Sequence, residues 1–224
     1  MMDEHVRGPV LVSDFDGTMT KFDFFRLAQE QLTPPGMHDY WEDYQAGRIT
    51  HFEAMRCIFS HIRVDEAILC DAIHRIELEP KLQEAVTHLQ QAGWEIIVAS
   101  AGCDWYIIRL LEEAQVHVQL YASPCAFDPA QGLLMRPPVD SPFYSPEDGI
   151  DKAAIVQEAL DAGRCVAFAG NGQPDLAPAL LVPPMRRFAR GWLADHFTAQ
   201  GIPFRAFIHW AEIAEMLVRE GGAC

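Results

Sequence analysis

Short apolar runs alternate along this chain with segments whose apolar residues recur every three or four positions. The short runs are typical of buried strands, and the longer segments are typical of helices that bury one face. Strands are predicted at residues 10–14, 94–99, 116–122, 164–169, 186–189 and 204–207. Beyond the second strand, helices are predicted at residues 103–114, 150–162, 174–181, 191–200 and 210–219. This alternation predicts an α/β fold with a doubly wound, Rossmann-like parallel sheet covered by helices on both faces.

The long segment between the first two predicted strands has helical periodicity only. Helices are predicted there at residues 24–31, 37–45, 50–61, 65–76 and 80–92, and Thr50 with Glu53 has the spacing of a capping box. A helical insertion after the first strand predicts a small cap domain. We therefore expect residues 1–21 and 77–224 to form the α/β catalytic core and residues 22–76 to form a helical cap domain. Residues 126–148, rich in Pro, Asp, Ser and Gly, are expected to form a flap and a long loop.

Two carboxylates, Asp14 and Asp16, directly follow the first predicted strand, with Gly17 and Thr18 behind them. The carboxyl end of a strand is where open α/β sheets place their active sites. Neighbouring carboxylates repel each other, and a bound cation relieves that repulsion. Mg²⁺ is the usual cation where carboxylates handle phosphate. The alternative interpretation is an aspartate that caps a helix beside an Asp-Gly turn.

Composition and charge narrow the classes of partner. Of 224 residues, 50% are hydrophobic and 22% charged, which favours a folded chain with a substantial core. The formal net charge of −15 disfavours nucleic acid and anionic membranes as partners. No apolar run approaches the length of a membrane span, and no N-terminal segment resembles a signal peptide, so we expect a cytoplasmic protein.

The segment DFDGT at residues 14–18 resembles the first motif of the haloacid-dehalogenase superfamily of phosphohydrolases and phosphotransferases. The resemblance implies that Asp14 attacks the substrate phosphorus and forms an aspartyl-phosphate. It implies that Asp16 protonates the leaving group and then activates the hydrolytic water. Mg²⁺ would offset the negative charge between nucleophile and phosphate. Gly17 would keep the turn tight, and Thr18 would supply a hydroxyl that holds the turn and binds phosphate.

Two further motifs bear phosphate-binding groups. Ser100, Ala101 and Gly102 end the second predicted strand and resemble the second motif, in which a hydroxyl and backbone N–H groups bind phosphoryl oxygens. A plain strand-end turn is the alternative interpretation. Lys152 lies in the first turn of a predicted helix, where a cation opposes the helix dipole, so helix stability does not explain it. Its position matches the third motif, in which a lysine bridges nucleophile and phosphate; the alternative is an ordinary surface charge.

The loop after the predicted strand at residues 164–169 resembles the fourth, metal-binding motif, with one departure. Asn171 stands where the family usually has a metal-binding aspartate, while the second acid, Asp175, is present. The resemblance thus implies a metal held by Asp14, Asp16, Asn171 and Asp175. An amide oxygen can bind Mg²⁺ but brings no charge. We therefore hypothesise that this protein needs more Mg²⁺ than a typical relative.

The position of the cap resembles the branch of the superfamily that contains phosphoserine phosphatases. Within that branch, residues 100–104 and 188–194 are most similar to the hydroxy-keto-methylthiopentenyl-phosphate phosphatases of methionine salvage. Asp23 stands where phosphoserine phosphatases have a substrate-contacting glutamate. Their cap arginine has no clear counterpart, although Arg48, Arg56 and Arg63 lie in the cap segment.

These observations favour a Mg²⁺-dependent phosphatase that hydrolyses a small phosphorylated metabolite. Two alternatives stay open at this point. Because Asn171 weakens the metal motif, the chain could be a phosphate-binding or regulatory protein on a phosphatase scaffold. A phosphotransferase would use the same residues, with an alcohol replacing water as the acceptor.

Overall fold

The structure is a computed structural model that describes residues 8–221. Its core is one sheet of six parallel strands in the order β10-β9-β8-β1-β2-β3, so the first strand is central. Two small antiparallel pairs, β4 with β5 and β6 with β7, lie between β3 and α7, and all but the last of these strands fall largely within residues 126–148, which were expected to form a flap and a long loop. In chain order the strands are β1 (Val10–Ser13), β2 (Glu95–Cys103), β3 (Gln119–Ser123), β4 (Cys125–Asp128), β5 (Gly132–Met135), β6 (Tyr144–Ser145), β7 (Gly149–Ile150), β8 (Val166–Gly170), β9 (Arg187–Ala189) and β10 (Arg205–Ala206).

Ten α-helices are found in the described residues, and the first five lie between β1 and β2. In chain order they are α1 (Phe24–Gln31), α2 (Tyr40–Gln45), α3 (His51–Ser60), α4 (Glu66–His74), α5 (Leu82–Gln91), α6 (Asp104–Glu113), α7 (Lys152–Asp161), α8 (Leu176–Leu181), α9 (Gly191–Gln200) and α10 (Trp210–Glu220). None of the helices within residues 8–221 has the length and apolar character that crossing a membrane requires.

Successive residues of β1 belong to two separate apolar clusters. Leu11 packs with buried residues of α5, α6 and α10, and the cap-segment helices α1, α3 and α4 join the same cluster. Val10 and Val12 pack with α7, α8 and α9 on the opposite face. A parallel sheet covered on both faces buries every strand position, which explains the continuous apolar run at the start of the chain. The predicted fold class, a doubly wound α/β sheet with helices inserted after the first strand, is confirmed.

The largest difference from the sequence-based elements is at the second strand. It was expected to end at Ala99 but continues to Cys103, with a shift in its pairing to β3 between those residues. An irregularity of this kind re-aims backbone and side chains at a strand end. It falls on the Ser100–Gly102 segment, which explains why the apolar pattern stopped there while the strand did not.

The helix α3 is anchored at its N-terminus in two ways. The expected capping box is present: Thr50 Oγ1 accepts from the N–H of Glu53, whose carboxylate accepts from the N–H of Thr50. The N–H of Phe52 also donates to the carbonyl of Glu147 in the loop before β7, at 2.8 Å. The helix packs against β5 as well. The first residue of α3, His51, is thereby fixed relative to the core.

Candidate active site

The predicted motifs meet at one edge of the sheet. Because β1 pairs with β2 on one side and with β8 on the other, the residues after these strands share one edge of the sheet. A cavity of about 340 Å³ opens there. It is lined by the predicted site residues Asp14, Asp16, Asp23, Ser100, Ala101, Gly102, Lys152, Asn171 and Asp175. Of the predicted set, only Thr18 lies behind the cavity surface.

Lys152 stands between two carboxylates. Its ammonium donates to Asp14 Oδ1 at 2.6 Å and to Asp175 Oδ1 at 2.7 Å, and all three side chains are more than nine-tenths buried. Burial alone would lower the pKa of Lys152, but the two carboxylates raise it above its usual range. Burial and the charge of Asp175 raise the pKa of Asp14, and the ion pair with Lys152 opposes them only in part. One ammonium is thus shared by two acids in a nearly dry site.

Asp16 is oriented by two donors. Its Oδ1 accepts from the N–H of Phe24 at 3.1 Å, and its Oδ2 accepts from the hydroxyl of Tyr106. Burial raises the pKa of Asp16 to about 7, although the hydrogen bond from Tyr106 acts in the opposite direction. A carboxyl with a pKa near neutrality can both give and take a proton, as an acid/base group must.

Tyr106 was not predicted from the sequence to belong to the site. It lies on the buried face of α6, directly after the second motif, and its hydroxyl reaches Asp16 across the cavity. A tyrosine at an apolar helix position has no sequence signature that separates it from core residues. The contact exists only because α6 brings the Tyr106 ring beside Phe15, in the turn that follows β1.

Gly102 and Gly17 lie so close to neighbouring side chains that no other residue fits at these positions. A Cβ on Gly102 would lie 2.1 Å from the hydroxyl of Tyr106 and 3.1 Å from Asp16 Oδ2. Gly17 has a φ of +66°, and a Cβ there would lie 2.1 Å from Asn171 Nδ2. Side chains at these positions would therefore displace Asp16 or Asn171. The N–H of Gly102 also donates to Ser100 Oγ at 3.0 Å, which leaves the hydroxyl proton of Ser100 for another acceptor.

Thr18 joins the first and fourth motifs rather than facing the cavity. Its fully buried hydroxyl lies 3.1 Å from both Asp14 Oδ2 and Asn171 Oδ1, so the carboxylate and the amide oxygen are adjacent. The Nδ2 of Asn171 lies 3.5 Å from Asp23 Oδ1. Two neighbouring hard oxygens, aimed at the same region, fit an oxygen-binding cation such as Mg²⁺.

The carboxylate of Asp175 accepts three hydrogen bonds from the protein. Besides Lys152, its carboxylate accepts from the N–H groups of Asn171 and Gly172, at 2.9 and 2.8 Å. It thus folds the loop that carries Asn171. Within residues 8–221, no three His, Cys, Asp or Glu side chains form a group that could hold a metal ion. A metal shell here would need oxygens of other kinds, such as the amide oxygen of Asn171 and the backbone carbonyl of Asp16.

The cap-segment side of the cavity is mainly apolar. Its apolar residues are Phe25, Trp41, Met55 and Phe59, while Asp23 pairs with the exposed Arg26 and Gln45 is exposed. His51 also lines this side, although nothing in the sequence distinguished it from the other dispersed histidines. Its position depends on how α3 packs against the core.

Comparisons with known proteins give a consistent picture. No family model matches the chain. A 2-hydroxy-3-keto-5-methylthiopentenyl-1-phosphate phosphatase from Brevibacillus brevis is 24% identical over 213 residues, which are 93% of this chain and 94% of that protein. The protein of the same name from Bacillus pumilus is 22% identical, covering 90% of this chain and 87% of its own length.

Solved structures extend the comparison to the fold. A HAD-family hydrolase from Salmonella enterica serovar Typhi superposes with a TM-score of 0.69 at 14% identity, over 95% of this chain and 72% of that one. The fold is that of the haloacid-dehalogenase hydrolases. A probable phosphoserine phosphatase from Vibrio cholerae shares this haloacid-dehalogenase fold with a TM-score of 0.63 and 16% identity, over 96% of this chain and 67% of that one. The resemblance found at residues 14–18 is confirmed, and the predicted class, a phosphoric monoester hydrolase, agrees with these relatives.

The contact between Tyr106 and Asp16 gives a testable prediction. In Tyr106→Phe we expect kcat to fall about 10- to 100-fold with a smaller change in KM, because Asp16 loses a charge-assisted hydrogen bond that orients it. Steady-state kinetics with a generic aryl phosphate measures both constants. Tyr144→Phe, at a tyrosine 38% exposed on β6, is the matched control. An unchanged kcat in Tyr106→Phe would contradict the positioning role.

Proposed function

We propose that this chain is a Mg²⁺-dependent phosphatase that hydrolyses a small-molecule phosphomonoester through an aspartyl-phosphate on Asp14. The observation that carries the proposal is the buried ammonium of Lys152 between Asp14 and Asp175, beside Asp16 and Ser100 in one cavity. Such a site would place a nucleophile, a proton donor and an ammonium group around the phosphate group of a substrate. The proposal rests on this geometry together with the phosphatase relatives.

The proposed reaction has two steps. In the first, an oxygen of Asp14 attacks phosphorus, the bond from phosphorus to the ester oxygen breaks, and Asp16 gives its proton to the leaving oxygen. In the second, Asp16 takes a proton from water while the water oxygen attacks phosphorus, which releases phosphate and restores Asp14. The hydrogen bonds from Phe24 and Tyr106 hold Asp16 in place for both transfers.

Two side chains, Lys152 and Ser100, bind the phosphoryl oxygens in this proposal. Lys152 supplies charge and offsets that of Asp14, and Ser100 has a free hydroxyl proton because its oxygen accepts from Gly102. The backbone at Ala101 and Gly102 forms the adjacent edge of the cavity. When bound, Mg²⁺ would supply positive charge that favours ionised Asp14 and polarises the phosphate. Asp14, the carbonyl of Asp16 and Asn171 would hold the metal, with Asp175 shaping the loop.

The metal proposal is tested by adding charge at Asn171. In Asn171→Asp we expect the half-saturating Mg²⁺ concentration for activity to fall about tenfold, because a carboxylate replaces a neutral ligand. The matched control is Gln173→Glu, which adds the same charge elsewhere on the loop. Titrations of activity against Mg²⁺ compare the three proteins. Equal titrations for wild type and Asn171→Asp would show that Asn171 is not a ligand.

Residues 22–76 are proposed to act as a cap that covers the site and contacts the leaving group. This proposal rests on helices α1 to α3, which supply Phe25, Trp41 and Met55 to the cavity wall. A mainly apolar wall favours a leaving group with little charge. The relatives named as 2-hydroxy-3-keto-5-methylthiopentenyl-1-phosphate phosphatases make that enol phosphate the first substrate to test.

A screen of small sugar, amino-acid and enol phosphates at several Mg²⁺ concentrations tests the function. We expect release of inorganic phosphate from at least one ester, and none in Asp14→Asn. Addition of alcohol acceptors separates hydrolysis from transfer, since a transferase would form new phosphate esters. Tight binding of an ester without turnover at saturating Mg²⁺ would favour a phosphate-binding protein and overturn the proposal.

A further inference from the structure

The wall of the cavity opposite the carboxylates offers few groups that recognise charge. Of the arginines in the cap segment, Arg26 lines the cavity, but its guanidinium lies 3.5 Å from Asp23 and its side chain is 66% exposed. Arg48, Arg56 and Arg63 do not line it. Gln45, the other uncharged polar residue on this wall, is exposed, so His51 is the buried polar side chain that a leaving group meets there.

His51 is held in a confined position and lacks a partner. Its side chain is 8% exposed, and the rings of Trp41 and Tyr44 meet it edge-on with centroids 5.8 and 5.1 Å away. The buried Nδ1 has no hydrogen-bond partner among the described residues, and the nearest carboxylate oxygen, Asp148 Oδ1, lies 3.9 Å away. Nε2 has no hydrogen-bond partner among the described residues either, but unlike Nδ1 it is not fully enclosed. Because buried polar groups are nearly always paired, Nε2 is the nitrogen at which the cavity offers room for a partner.

The ring is uncharged at neutral pH. Burial, reinforced by the positive charge of Lys152, lowers the pKa of His51 to about 4. The carboxylate of Asp148 faces Nδ1 and favours the proton on that nitrogen, which leaves Nε2 as a hydrogen-bond acceptor. A neutral acceptor on an apolar wall suits a hydroxyl group and gives no advantage to a charged one.

We propose that His51 is a specificity-determining residue that accepts a hydrogen bond from an uncharged hydroxyl group on the leaving group of the substrate. The preferred substrates are then phosphomonoesters whose leaving group is mostly apolar and carries a hydroxyl. This inference rests on the proposed phosphatase function and adds to it the chemistry that selects the ester. His51 contacts the leaving group and takes no part in transfer of the phosphoryl group.

The test compares n-alkyl phosphates with the same esters that bear one hydroxyl at each chain position in turn. For at least one position we expect wild type to prefer the hydroxyl ester about tenfold or more in kcat/KM, because a polar site rejects analogues that leave it unpaired. In His51→Phe the preference disappears, while activity on the plain alkyl ester remains. In His51→Gln, which retains an acceptor, part of the preference returns.

His88→Phe is the matched control, since it makes the same change at an exposed histidine of α5 outside the cavity and should leave the hydroxyl preference unchanged. Thermal unfolding of each variant identifies any that fails to fold. If His51→Phe does not fold, the hydroxyl preference of His51→Gln is compared with that of wild type instead. An equal preference in wild type and His51→Phe, or no preference in wild type for any hydroxyl position, overturns the role of His51. Absence of hydrolysis of every ester by wild type would instead overturn the phosphatase proposal.

Discussion

Replacing Asp14 with asparagine is expected to lower phosphatase activity by at least about 10⁴-fold while the protein still folds, because an amide oxygen is a very poor nucleophile. The fold should tolerate the change since Lys152 keeps its second partner, Asp175, at 2.7 Å. Thr18 can still donate to a side-chain oxygen at position 14. Initial rates with the best ester of the screen and thermal unfolding measure the two effects.

The control for this substitution is Asp195→Asn, which makes the same chemical change at an exposed aspartate in α9. We expect its rate and unfolding temperature to match those of wild type. Turnover by Asp14→Asn within tenfold of wild type would refute Asp14 as the nucleophile. Trapping of a phosphorylated protein that is absent in Asp14→Asn would identify the attacked residue directly.

Replacing Lys152 with methionine is expected to remove activity and also to destabilise the protein by about 3–5 kcal/mol, because a broken buried ion pair leaves charges without compensation. Two buried carboxylates, Asp14 and Asp175, would then face each other without a cation. Chemical denaturation gives the free energy of unfolding. Lys21→Met is the contrasting control: Lys21 pairs with Glu77 at 3.1 Å on the surface, and its loss should cost less than about 1 kcal/mol.

A double variant shows whether the stability lost in Lys152→Met comes from uncompensated charge or from lost packing contacts. In Lys152→Met with Asp175→Asn, one of the two uncompensated charges is gone, so part of the lost stability should return. Activity should stay absent, because the phosphoryl oxygens still lack their cation. If the double variant is less stable than Lys152→Met by the full cost of Asp175→Asn alone, the two residues do not interact as described.

The sequence predicted the strands and the four motifs well, since each depends on local patterns. An apolar run followed by carboxylates identifies the end of a strand without any information about distant residues. The order of the motifs along the chain predicted that Lys152 and Asn171 lie near the same edge of the sheet. These inferences needed only neighbouring residues in the chain.

The residues that the sequence did not identify depend on packing between distant elements. Tyr106 reaches Asp16 across 90 positions, and His51 reaches the cavity only because α3 lies against the core. Thr18 shows the converse: its motif suggested a phosphate-binding hydroxyl, whereas in the structure it links Asp14 to Asn171. Side-chain direction in a tight turn is decided by both strands that flank it, so one motif alone does not determine it.

The hydrogen bond from Phe52 to Glu147 has a consequence for how the enzyme would choose its ester. Together with the packing of α3 on β5, it ties the helix that carries His51 and Met55 to the segment between β3 and α7. The wall that contacts the leaving group would then already have its final shape before the ester binds. Discrimination among esters would therefore appear as a difference in binding affinity rather than in a later closure step.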